Sequence, residues 1–154
     1  MNEQKIKFLK ADFPMFVSSL KPEQKGKWGK MNAQQMVEHM SYAFRLANGK
    51  HVEKPVYSPE ITQKMHQFMM TEKPFRENTP NQLLSDEPYA LKNRSMAEAI
   101  AELRSEIDHF FQVYAERSEL RMVNPFFGNL NFEEQVQLLH KHAAHHAKQF
   151  GWMD

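Results

Sequence analysis

The densest run of chemically capable side chains is His140-Lys141-His142-Ala143-Ala144-His145-His146-Ala147-Lys148-Gln149, which holds four of the chain's eight histidines. On a helix, at about 100° per residue, His142 and His146 fall about 40° apart on one face. Two imidazoles so placed can share one ion, with metal–nitrogen bonds of about 2.0–2.1 Å. Leu138, Leu139 and Phe150 border this face and turn it inward. Its centre is nevertheless polar, because Gln135 stands before His142 and Gln149 after His146 on nearly the same line. Burying that line costs free energy unless each group finds a partner, and a metal is a partner that imidazoles can share. The same HxxxH spacing also occurs on exposed, histidine-rich helix ends, so the pair alone leaves both readings open. His140 points off the face and is expected in solvent. His145 lies at the face's edge, where it is expected either to support the ligand histidines from outside or, by preference, to sit at the surface.

A third donor narrows the choice. His39, in Gln35-Met36-Val37-Glu38-His39-Met40, lies about 60° from Met36, on the border of an apolar stripe. A lone histidine there is ordinarily a core residue. Beside an inward His142/His146 pair on another helix it completes a three-histidine set for one divalent ion. Glu38 points about 100° away from His39 and is expected to be a solvated charge. His51, His66 and His109 lack comparable placement and are read as structural or surface residues.

Helices must carry these side chains, since apolar residues recur at three and four rather than at two. The first segment covers about residues 3–20, with Pro14 predicting a kink or two short helices. The second runs from about Asn32, a capping residue, to Asn48-Gly49. Residues 49–94 are irregular and proline-rich, with one short helix near 59–70; a connection this long ordinarily covers something. Its Tyr57, Phe75, Tyr89 and methionines are expected either to line a pocket or to pack in the core. A third helix follows from about Ser95 to Arg117, where Ser95 and Glu98 have capping-box spacing and Met96, Ile100, Leu103, Ile107, Phe110 and Tyr114 form a seam. Asn124-Pro125-Phe126-Phe127-Gly128 reads as a rigid apolar turn, and the last helix runs from near Asn131 to Phe150-Gly151. The expected fold class is therefore all-α: a single-domain four-helix bundle with a long crossover between helices 2 and 3.

Composition narrows the partners. Twenty basic against 19 acidic side chains leave a net charge of +1, without the basic excess that nucleic acid demands. The cluster Lys21, Lys25, Lys27, Lys30 reads as a solvated turn. With no cysteine there is no disulfide, thiolate zinc site or protein thiol nucleophile. Neither a signal peptide nor a bilayer-crossing run is evident, so no membrane association is expected and a cytoplasmic location is the default.

On two of these motifs the chain resembles the DinB/YfiT-like superfamily of metal-dependent enzymes. One motif is the early-helix Gln35-Met36-Val37-Glu38-His39-Met40-Ser41; the other is His-x-x-His-His-x-x-Gln, here His142 to Gln149. The second helix and the stretch from Asn124 through Gly151 are most similar to a small branch of that group. The resemblance implies an up-down-down-up four-helix bundle and metal ligation by His39, His142 and His146. Where the family often carries Arg-Gly before the glutamine, this chain has Ala147-Lys148. Family activities include thiol transfer and thiol-dependent isomerisation.

Three neutral imidazoles leave a divalent ion, zinc or nickel by ligand type, with open positions for a water or a thiol. The thiol would come from outside, as a low-molecular-weight cosubstrate. The leading expectation is a metal-dependent hydrolase or thiol S-transferase acting on a small-molecule substrate. The alternative is a non-catalytic helical module, with a structural metal or none, working singly or as a homodimer.

Overall fold

The computed structural model describes residues 3–77 and 90–152. Helix starts follow local hydrogen-bond chemistry. The side chain of Asn32 accepts from the Gln35 amide while the Gln35 side chain accepts from the Asn32 amide, each at 2.9 Å, and α3 (Ala33–Asn48) begins there. Gly49, at φ 89°, ends it in the left-handed region that favours glycine. Ser58 caps α4 (Pro59–Met69), whose Pro59 sits where no amide hydrogen is needed. Ser95 caps α5 (Met96–Glu116), but Glu98 reaches the Arg94 amide rather than closing a box onto Ser95. Asn131 and Glu134 form a second reciprocal box at the start of α6 (Phe132–Gln149).

The N-terminal segment comprises α1 (Glu3–Lys7), a π-helical turn (Phe8–Asp12) and α2 (Phe13–Val17). The disturbance expected at Pro14 therefore falls one turn earlier. Proline has no N–H to bond back into the preceding turn, and the wider π turn takes up the difference, with the Phe13 amide bonding to the Phe8 carbonyl.

One element differs from the sequence reading. The apolar turn around Pro125 is flanked by two short antiparallel strands, β1 (Met122–Asn124) and β2 (Gly128–Leu130), with Met122 opposite Leu130 and Asn124 opposite Gly128. The side chain of Asn124 accepts from the amides of Phe126 and Phe127, and Gly128 adopts φ 89°. Strands of three residues are too short for a period-two pattern to stand out.

The protein is thus mostly helical, with one small hairpin. The N-terminal segment, α3, α5 and α6 share one core, in which Leu9, Phe13, Met40, Phe44, Phe110 and Leu139 are completely or almost completely shielded. A second cluster of Met69, Phe75, Phe126, Phe127, Leu130 and Leu138 seats α4 and the hairpin against α6. Leu138 and Leu139 face different clusters, so α6 is covered from two sides. That double cover carries the polar line of α6 out of water. Among the described residues no helix is long and apolar enough to cross a membrane.

Candidate metal centre

α3 contributes His39 and α6 contributes His142 and His146; the three rings meet in the interior at 4%, 1% and 1% exposure. The Nε2 atoms of His39 and His142 are 3.1 Å apart, and those of His142 and His146 are 3.0 Å apart. One nitrogen from each residue lies within 4.8 Å of the others, so the cluster could hold a metal ion. Three nitrogens bound tetrahedrally at about 2.0–2.1 Å would be about 3.3 Å apart, close to the spacing seen. Burial, reinforced by the neighbouring imidazoles, pushes His142 and His146 well below the ordinary histidine range. Both rings are therefore uncharged near neutrality, the state in which imidazole binds metals. The donor set fits a divalent ion.

The polar line divides in two. Gln149 contacts His146 directly, its Oε1 2.7 Å from Nδ1. Gln135 is buried at the other end of α6, beside the Tyr114 hydroxyl, which donates to the Ala47 carbonyl. It takes no part in the histidine cluster.

Two other histidines of α6 are less exposed than their spacing implied. His145 is buried against Trp28, Phe75 and His146, and burial pushes it down to about 4. The Trp28 loop and the Phe75 segment cover that side of the helix, and neither is visible in its periodicity. His140 is half-buried with its edge toward Phe8, and burial lowers it as well. His66 fills the structural role expected of it, bridging α4 to α6 through Glu134 at 2.5 Å.

Glu38 is not a solvated charge. Its carboxylate accepts from the amides of Lys92 and Asn93 at 2.8 and 3.1 Å, and from the side chains of Asn93 and Gln34. It pins the segment entering α5 across the face of α3. This long-range tie leaves no local sequence signal.

Next to the centre lies a cavity of about 370 Å³, whose lining includes Glu38, His39, Tyr42, His51, Glu53 and Lys92. His51 Nε2 is 2.7 Å from Glu53 Oε1, which also accepts from the Tyr42 hydroxyl at 3.3 Å. The His51 imidazole, with Tyr42, holds the Glu53 carboxyl below the usual carboxylate range. His51 is a surface residue, as expected, and it also shares a cavity wall with a candidate ligand. Tyr42, three residues after His39 on the same side of α3, was discoverable from spacing. His51 and Glu53 were not, because the crossover has no period. Tyr57 and Phe75 pack against Phe126 and Phe127, while Tyr89 lies outside the described residues.

A mostly helical protein with three buried histidines able to hold one ion is the class that fold and site define. The sequence matches the family model of the DinB superfamily over residues 9–150, nearly the whole chain, and the protein belongs to that superfamily. Comparisons with curated proteins and with solved structures found no significant match.

Proposed function

We propose that the protein is a metal-dependent enzyme acting on a small molecule, with His39, His142 and His146 as ligands of one divalent metal. The observation that carries this reading is the position of His39, which belongs both to the three-histidine cluster and to the wall of a cavity large enough for a small substrate. When bound, the metal supplies an electrophile that activates water or an external thiol, the chemistry of a hydrolase or a thiol S-transferase. The chain has no cysteine of its own for that role. An all-imidazole set suits zinc or nickel.

The chain's own residues supply the rest. Glu53, hydrogen-bonded to His51, orients that ring toward its task, so the pair can take a proton from a group in the cavity. Tyr42 holds the carboxylate from the other side. Helices α3, α5, α6 and the N-terminal segment are read as an up-down-down-up bundle.

A second reading has its own support. His142 and His146 are almost wholly shielded, as ligands of a purely structural metal would be. The two readings separate on activity. Protein loaded with zinc or nickel is to be assayed for ester hydrolysis, amide hydrolysis and thiol conjugation. Turnover that chelation abolishes supports the enzyme; a chelator-sensitive melting temperature without turnover on any of these supports the structural role.

A further inference from the structure

Each neutral imidazole carries its proton on one nitrogen, and only the other can bind a metal. For His146 that choice is visible. Its Nε2 faces His142 at 3.0 Å, and its Nδ1 is 2.7 Å from Gln149 Oε1. A carbonyl oxygen can only accept, so the proton sits on Nδ1 and the lone pair of Nε2 points into the cluster.

The conclusion depends on which end of the Gln149 amide faces His146, and a second contact decides it. The other end is 2.9 Å from the backbone carbonyl of Trp28. That carbonyl must receive an N–H; the flipped amide would set oxygen against oxygen. The loop holding Trp28 is fitted to Gln149 at several points. The Lys27 amide donates to the Gln149 carbonyl at 2.7 Å. Gly29, at φ 78°, passes so close that a Cβ there would lie 2.8 Å from Gln149 Nε2. A Cβ on Gly26 would lie equally close to Gln149 Cγ. Gln149 itself is 3% exposed.

We propose that Gln149 is a positioning residue: gripped by the Gly26–Gly29 loop through the Trp28 carbonyl, it fixes His146 in the Nδ1–H form and thereby presents its Nε2 to the metal. The inference rests on the metal-centre reading for its functional meaning, but the tautomer can be observed without any metal. Hydrogen-bond partners of metal-bound histidines contribute about 10–100-fold in metal affinity.

The test compares wild type, Gln149→Glu and Gln149→Leu as full-length proteins. Nitrogen-15 NMR of the metal-free proteins reads the His146 tautomer, and competition with a chelator reads zinc affinity. The expected result is an Nδ1–H tautomer in wild type and Gln149→Glu, lost in Gln149→Leu. Zinc affinity should fall about 10–100-fold in the leucine variant and by less in the glutamate variant, which keeps the acceptor for His146 but not the tether to Trp28. The glutamate keeps an acceptor for Nδ1–H but loses the donor to Trp28, so an Nδ1–H tautomer and wild-type zinc affinity kept in the leucine variant would show that Gln149 does not fix the ring and would overturn the proposal. An Nε2–H tautomer in wild type would overturn it too, and decides the matter even if the leucine variant does not fold. If wild type has the expected tautomer but binds no zinc, the metal reading fails while the tautomer assignment stands.

Discussion

His39 Nε2 stands 3.1 Å from His142 Nε2, although 103 residues separate the two in the chain. Neither helix could achieve this alone. Asn32 sets the start of α3 and Asn131 the start of α6, and both helices bury their apolar stripes in one core. The meeting point is where the polar line of α6 crosses the border of the α3 stripe.

The caps are the most local part of this framework. Asn131→Ala removes the acceptor for the Glu134 amide and half of a reciprocal pair. It should lower stability by about 1 kcal/mol in urea denaturation.

Glu38 connects α3 to the chain entering α5 through two backbone amides and two side chains. Glu38→Ala should destabilise the protein by about 1–3 kcal/mol, the range for leaving hydrogen-bond donors unmet. Metal content should not change, since the carboxylate is engaged with residues 92–93 and is no ligand. Denaturation and metal analysis on one preparation check both halves.

Glu106 gives a pH dependence. Burial raises its carboxyl's affinity for protons, but Lys50, Asn48 and Arg45 together outweigh it, and the group ends below its ordinary value of 4.5. The unfolded chain therefore binds more protons than the folded one as pH falls below about 4.5, and stability declines with it. The contribution is complete above that pH and lost on passing through the lower, folded value. Glu106→Gln should be less stable at pH 7 and show a shallower loss on acidification, read from denaturation midpoints between pH 7 and 3.

His51 and Glu53 are expected to handle protons rather than metal. His51→Ala and Glu53→Gln should keep wild-type metal content and lose about 10²–10⁴-fold in turnover on whichever substrate class the protein accepts. Loss of metal in either variant would place the pair in the ligand set instead.

The long elements and the inward His142/His146 pair were legible in the sequence because both are local periodicities. The α5 seam of Leu103, Ile107, Phe110 and Tyr114 is buried as its spacing implies, and His142 and His146 share a face because they are four residues apart on a helix. What was not legible depends on contacts across the chain. His145 is buried by Trp28 and Phe75, Glu38 is bound by residues 92–93, and His51 reaches the cavity from a segment without a repeat. The hairpin of residues 122–130 was missed because three-residue strands carry too little pattern.

The central claim is that His39, His142 and His146 hold one divalent metal. Its most direct test is elemental analysis of protein purified without an affinity tag, given one equivalent of zinc or nickel and freed of unbound metal, beside His142→Ala. Wild type should hold one ion per chain and the variant almost none. Equal metal content in the two would contradict the claim.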